Sequence, residues 1–443
     1  MDSIKIDTVI EARWIIPAEP LGLVLEDHAI AIDKGMIQAI LPASEMNLQF
    51  SPEEHIVLNQ HALIPGLINL HTHAAMTLMR GLADDLPLKE WLNNHIWPAE
   101  VKHVNADFVL DGTKLACAEM LKGGTTCFND MYFFPEASAK AVVTAGMRGA
   151  IGMIAIDFST AYASDAEDYL AKGLAMRDEY RHHPLLSFCF APHAPYTVSD
   201  KAFTNILTYA EQLDLPVHIH LHETETEIKH SLENFNMRPI ARLHQLGLLS
   251  PGLIGVHMIH LTQEEIKLIG SQGCSVVHCP SSNLKLASGI APVSALRKQG
   301  VTVGLGTDGA ASNNRLDMFA EMRLAALLAK AQSNRAEELP AYQALQMATL
   351  NSAKALGMED RIGSLVKGKM ADITAVDFSG PELSPCYDPV SHLVYSAGRE
   401  HVSHVWVDGK ILVNEGKLTT LDEQEIVART VFWKDRININ KNG

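Results

Sequence analysis

The run Ala62-Leu63-Ile64-Pro65-Gly66-Leu67-Ile68-Asn69-Leu70, followed at once by His71-Thr72-His73, decides how this chain is read. An apolar stretch of that length bounded by polar residues has the character of a buried strand. Residues two apart on a strand point to the same side, so His-x-His leaving its end aims two imidazoles at one point, as a metal site requires. Taken alone, the pair could equally be two satisfied or exposed histidines. What favours the metal reading is the set of residues that end other strand-like runs.

Seven more runs of this kind follow: Thr125 to Asn129, Gly149 to Ile156, Leu185 to Ala191, Pro216 to Leu221, Leu253 to His257, Cys274 to His278 and Val301 to Gly306. They alternate with helix-like stretches. The clearest of these has Leu316, Phe319, Met322, Ala326 and Ala329 at helical spacing. Eight strands alternating with helices predict an α/β fold, a (β/α)8 barrel of the TIM type, whose chemistry sits at the strand C-terminal ends. An open doubly wound sheet is the alternative, but it would have difficulty bringing residues from so many strands together.

Outside that repeat the pattern changes. His28 to Ile32 and Met36 to Ile40 flank Asp33-Lys34-Gly35, and Val405 to Val407 and Lys410 to Val413 flank Asp408-Gly409, two hairpin signals near opposite ends of the chain. The termini are therefore expected to build one small β-sandwich domain. Residues 1–62 would form its N-terminal part, 63–370 the metal-dependent barrel, and 371–443 the C-terminal part plus a terminal helix.

Composition narrows the function. With 443 residues, 47% of them hydrophobic and 20% charged, the chain is long enough for a large core. A formal charge of −16 argues against nucleic acid or an anionic membrane, both of which reward basic patches, and leaves a small molecule as the expected partner. The start, Met1-Asp2-Ser3-Ile4-Lys5-Ile6-Asp7, lacks the features of a secretion signal, and no apolar run is long enough to cross a bilayer. The six cysteines contain no Cys-x-x-Cys pair and suit reduced, mostly buried thiols. These features place the chain in the cytoplasm.

Read in order, the strand ends carry His71 and His73, then His193, His220 followed by Glu223, His257, His278 and Asp308. Imidazoles and a carboxylate suit Zn²⁺, and His71, His73, His220 and Asp308 are the expected ligands. On spacing alone, His218 or His222 could replace His220, Glu223 could be a solvated residue at a helix start, Asp308 could cap the next helix, and His257 could be a core histidine.

The chain resembles the amidohydrolase superfamily, in particular the deaminases of 5′-methylthioadenosine and S-adenosylhomocysteine. The residues that carry the resemblance are Pro65 to His73, Arg80-Gly-Leu-Ala-Asp-Asp-Leu-Pro-Leu88, Pro192-His-Ala-Pro-Tyr196, His220-Leu-His-Glu223, Cys279-Pro-Ser-Ser-Asn283 and Gly306-Thr-Asp-Gly309. The resemblance implies hydrolytic deamination at C6 of an adenine ring, with one divalent ion, zinc, held by His71, His73, His220 and Asp308. It also implies Glu223 as proton donor to a ring nitrogen, Asp308 as acceptor of a proton from water, and His257 as the residue orienting that water. His218, His222, His260 and His278 are left with structural or supporting roles. Two-metal relatives bridge their ions through a modified lysine at the end of strand four. Leu185 to Ala191 contains none, which implies a single ion. The His-x-Glu and Pro-Cys-x-x-Cys signature of the other zinc deaminases is absent.

By the same resemblance Trp91 lines the pocket, Glu100 accepts hydrogen bonds from the ribose 2′ and 3′ hydroxyls, and His193 contacts the ribose. The pattern departs at Thr160 to Tyr169, which has no cation to hold the carboxylate of S-adenosylhomocysteine. Arg148 is then either a substitute contact or a surface arginine ahead of strand three. 5′-Methylthioadenosine, whose tail is neutral, is the favoured substrate, with S-adenosylhomocysteine or adenosine next. The alternatives are a related enzyme acting on guanine or a triazine, and a silent barrel that only binds, which would lack a ligand or the glutamate. A homo-oligomer is what the resemblance suggests.

Overall fold

The computed structural model describes residues 3–439. Met1, Asp2 and the last four residues, which fall in the expected N-terminal β segment and the expected terminal helix, lie outside the described residues. Strands β1 (Ile4–Ile15), β2 (Leu25–Asp33), β3 (Met36–Pro42) and β4 (Phe50–Pro65) come first. The eight barrel strands follow: β5 (Leu67–Thr72), β6 (Thr125–Tyr132), β7 (Arg148–Ala155), β8 (Leu186–Pro192), β9 (Val217–Leu221), β10 (Leu253–His257), β11 (Ser275–His278) and β12 (Thr302–Leu305). Each is parallel to its neighbours, with sequence order kept around the sheet. The expected helix appears as Met318–Ser333, burying Phe319, Met322, Ala326 and Ala329.

The ring closes through side chains as well as backbone. Asn69 on β5 accepts from the Thr307 amide at 2.9 Å and donates to the Thr307 hydroxyl at 2.7 Å, while the Asp308 amide donates to the His71 carbonyl at 3.0 Å. This clasp brings the ends of the first and last barrel strands together, which is where His71 and Asp308 sit.

The opening apolar run is divided between two sheets. Leu63 to Pro65 complete the long strand β4, and Leu67 begins the barrel. Gly66 marks the break, because a β-carbon there would lie 2.1 Å from the Thr126 hydroxyl oxygen. The strand of the terminal sheet thus passes the expected boundary at residue 62.

After the barrel come β13 (Ile373–Asp377), β14 (Val402–Val407), β15 (Lys410–Asn414) and β16 (Lys417–Leu418). They join β1 to β4 in one sheet of order β16-β15-β14-β13-β4-β1-β2-β3. Both predicted hairpins form. Their turns have two successive positive-φ residues, Lys34-Gly35 and Asp408-Gly409, as type I′ turns require. The two turns meet: a β-carbon on Gly35 would lie 2.8 Å from the Asp408 carbonyl oxygen. The sheet therefore folds over a core in which Trp406 joins Ile10, Ile30 and Ile32. The terminal helix is Glu423–Ile439.

Arg148 corrects both readings offered for it. It is neither a substrate contact nor a surface residue. It starts β7, at the end of the barrel opposite His71, and is buried in a bidentate pair with Asp372, at 2.8 and 2.9 Å. Asp372 also accepts from the Asp408 amide, so the pair ties the barrel to the terminal sheet. Arg148→Met leaves a buried carboxylate without its partner and is expected to cost roughly 3–5 kcal/mol in urea unfolding, with KM unchanged. A raised KM at unaltered stability would return Arg148 to the substrate.

Candidate active site

The C-terminal ends of the barrel strands surround a cavity of about 330 Å³. His71, still within β5, and His73 just beyond it point the same way, their rings 4.8 Å apart. Across the cavity floor, Asp308 Oδ1 lies 3.3 Å from His71 Nε2 and 3.4 Å from His73 Nε2. His220 Nε2 lies 3.2 Å from His71 Nε2. The four expected ligands are thus brought together. Their donors form two overlapping groups that share His71, one with His73 and Asp308, the other with His220 and His257. His257 therefore stands beside that pair, its ring centre 6.0 Å from that of His71 and 5.5 Å from that of His220.

The outer nitrogens determine what the inner ones can do. His73 Nδ1 lies 2.5 Å from the Met131 carbonyl and His220 Nδ1 lies 2.7 Å from that of His193. A carbonyl only accepts, so each Nδ1 carries the proton and each Nε2 keeps its lone pair inward. His71 Nδ1 pairs with His218 Nε2 at 3.0 Å. With Nδ1 of His71 as the donor, the close Nε2 pair of His71 and His220 is two lone pairs facing one another. A shared cation resolves that contact, so the donor set fits a metal ion.

Charge supports the fit. Burial pushes His71 down to about 4 and His220 well below its ordinary value, keeping both neutral. Burial alone would raise the Asp308 carboxyl, but the imidazoles of His71, His73 and His257 around it outweigh that and hold it well below the usual range. Asp308 Oδ2 accepts from Ser282 and Ser312 at 2.6 and 2.9 Å, and the following short helix is capped by Gly309, not by Asp308.

His222 does not join this group, although it alternates with His218 and His220. Strand β9 ends at Leu221, and His222 takes a positive φ of 55°, which turns its ring toward the His260 carbonyl and the Ile240 amide. His218 remains inside the barrel, behind His71. His260 and His278 have no place on the cavity wall. Nor is Glu223 at a helix start, since the next helix begins at Glu225 and is capped by Thr224. Glu223 faces the cavity, with Oε2 at 3.8 Å from His257 Nε2. Burial raises its carboxyl above the ordinary value.

Trp91, Glu100 and His193 all line the cavity. Trp91 Nε1 donates to the Ala83 carbonyl at 3.1 Å, and Glu100 accepts from the Tyr132 hydroxyl at 2.7 Å. Burial pushes the Glu100 carboxyl up to about 7 and His193 down to about 3. Sequence reasoning missed Tyr132, Phe133, Phe134 and Tyr162 in the aromatic part of the wall, and gave no role to Tyr196, which stood in a quoted motif. Only the position of Tyr132 at a barrel strand end could have signalled that wall. It also missed Glu227, which accepts from the His222 and Glu223 amides at 2.9 and 2.8 Å and holds the turn that carries Glu223. No lysine or arginine among the described residues lines the cavity.

Residues 62–412 match the amidohydrolase family. A 5-methylthioadenosine/S-adenosylhomocysteine deaminase of Saccharophagus degradans is 50% identical over 435 residues, covering 98% of each chain. An adenosine deaminase of Xanthomonas campestris solved with bound zinc is 48% identical, covers 99% of this chain and 100% of its own, and superimposes with a TM-score of 0.98. An atrazine chlorohydrolase of Arthrobacter aurescens complexed with zinc is 25% identical, covers 96% of this chain and 99% of its own, and has a TM-score of 0.89.

Proposed function

Since this chain belongs to the amidohydrolase family, we propose that it is a zinc-dependent hydrolytic deaminase. It converts the 6-amino group of an adenosine-type nucleoside, 5′-methylthioadenosine by preference, to the inosine-type product and ammonia. The observation that carries this reading is Glu223, a buried carboxyl of raised pKa beside converging imidazoles on the floor of a largely apolar cavity. Its relatives named as deaminases of the same nucleosides support it.

His71, His73, His220 and Asp308 would hold one zinc ion. When bound there, the ion supplies Lewis acidity and lowers the pKa of water. An adenine ring is a poor electrophile until a ring nitrogen is protonated, and Glu223 donates that proton to N1. Asp308 receives a proton from the attacking water, oriented by His257, as the oxygen bonds to C6. Asp308 then delivers its proton to the departing nitrogen, and the C6–N bond breaks to release ammonia. As the carbonyl forms, the hydroxyl proton returns to Glu223, which resets the site.

Glu100 and His193 hold the ribose, and Trp91 covers the purine or the 5′ group. A cavity wall without a cation suits a neutral thiomethyl tail better than an amino-acid carboxylate, whose burial without a partner is costly. A cytosolic location fits six cysteines that are all unpaired. The reading is tested by following the absorbance change from adenine to hypoxanthine with 5′-methylthioadenosine, S-adenosylhomocysteine and adenosine, alongside ammonia release from guanine and an aminotriazine. The highest kcat/KM is expected for 5′-methylthioadenosine. Turnover of guanine or a triazine with none of the nucleosides would overturn it.

Glu100→Gln replaces one charge-assisted acceptor by an amide and is expected to lower kcat/KM by about 10–100-fold, the equivalent of about 1.5–3 kcal/mol. The loss should vanish with a 2′,3′-dideoxy substrate. Glu100 binds the diol as a carboxylate, and its pKa is raised, so protonation sets in early as the medium turns acid. KM is therefore expected to rise as pH falls below about 7, with the midpoint moved lower by a neighbouring cation, and Glu100→Gln should flatten that limb.

A further inference from the structure

His257 is held in an unusual way. It ends β10 with a φ of +72°, and the next residue, Met258, is also left-handed at +48°. Met258 is tied to β9 by its amide, which donates to the Leu221 carbonyl at 3.0 Å. Non-glycine residues held in this region cost free energy and persist where the surroundings over-determine them. The His257 ring is equally constrained, because Nδ1 lies 2.8 Å from Asn283 Oδ1 and Nε2 lies 3.8 Å from Glu223 Oε2.

Asn283 belongs to the Cys279-Pro-Ser-Ser-Asn283 motif, for which the reaction above has no use. It is 1% exposed. Its amide donates to the Cys279 carbonyl and its carbonyl accepts from the Ser288 amide, so its side chain is anchored from both sides. Yet its Nδ2 has no hydrogen-bond partner. An orphaned buried donor costs about 1–3 kcal/mol and calls for a reason. Reversing the amide would set its NH₂ against Nδ1 and force the imidazole proton onto Nε2. That N–H would then point into the group where His71 and His220 converge. The observed orientation does the opposite.

We propose that Asn283 is a positioning residue that fixes His257 as its Nδ1–H tautomer, so that the Nε2 lone pair faces the cleft as an acceptor for a hydrogen of the attacking water. This rests on the role given to His257 above. An aspartate would impose the same tautomer, but its charge would also favour imidazolium and remove the acceptor. A neutral acceptor sets the proton's place without adding one.

The test is a long-range ¹H–¹⁵N correlation spectrum of the zinc-loaded enzyme labelled in its histidines, with His257 assigned by loss of its signals in His257→Gln. Nδ1 is expected to be protonated and Nε2 unprotonated. In Asn283→Leu, similar in size but without an acceptor, signals of both tautomers are expected. Its kcat should fall about 10–100-fold, with KM within twofold and zinc content unchanged. Asn283→Asp should keep Nδ1 protonated. A proton on Nε2 in the wild type would overturn the proposal, and so would an Asn283→Leu enzyme with the tautomer and kcat of the wild type. The wild-type spectrum decides even where a variant fails to fold. Because it is read without turnover, it stands apart from the substrate assignment, which fails on the nucleoside panel alone.

Discussion

Glu223→Gln is expected to lose about 10³–10⁴-fold in kcat while binding the same amount of zinc. The amide matches the carboxylic acid in shape and cannot release a proton, so a nucleoside bound in the cavity stays unprotonated at N1 and resists attack. A positioned acid contributes 10²–10⁴-fold in general, and the upper part of that range applies because an aromatic carbon has no other route to activation here. Little else should change. The turn is held by Glu227 through backbone amides, and the Glu223 side chain accepts one long hydrogen bond, from Ser288 Oγ at 3.5 Å, with His257 Nε2 3.8 Å away. Stability supplies an independent check. A carboxyl whose pKa is raised by burial favours folding while protonated, and that contribution is lost as pH climbs past its ordinary value. The glutamine variant should therefore unfold in urea at pH 7.5 no earlier than the wild type. Retention of a tenth or more of the wild-type kcat would remove Glu223 from the reaction.

Stripping the metal with a chelator should abolish turnover, and one equivalent of zinc per chain should restore it. The inner nitrogens of His71 and His220, 3.2 Å apart, both present lone pairs when their Nδ1 atoms carry the protons, an arrangement that repels until a cation lies between them. A ligand present at a hundred times its Kd stabilises the folded state by about 2.7 kcal/mol. The stripped protein should accordingly melt several degrees lower as well as being inactive. The end of β8 carries His193 where a bridging lysine would be needed for a second ion. A requirement for two equivalents, measured by elemental analysis of the reconstituted protein, would overturn the single-ion reading. Full activity in protein that analyses as metal-free would overturn the metal reading altogether.

The eight barrel strands were legible because each is buried on both faces, and that writes a short apolar run into the chain. The hairpins were legible because Lys34-Gly35 and Asp408-Gly409 carry the turn chemistry that type I′ geometry demands. The division of the opening run at Gly66 was not, since the reason for it is the Thr126 side chain on a neighbouring strand. Arg148 was misread for a similar reason. Its partner Asp372 lies 224 residues away, and nothing local marks an arginine that will be buried in an ion pair.

The sequence by itself determined the order of the elements, the His-x-His pair, and the residue types that arrive at the strand ends, because local periodicity and strand alternation follow from the backbone alone. Tertiary structure decided the rest. The positive φ of His222 takes it out of an alternation that would have kept it beside His220. The bonds of His71 to His218, His257 to Asn283 and Glu100 to Tyr132 join different segments of the chain. Which nitrogen carries a proton, which carboxyl stays neutral and which side chain loses its water depend on those partners and on the burial they share. Neither is fixed until the barrel has closed.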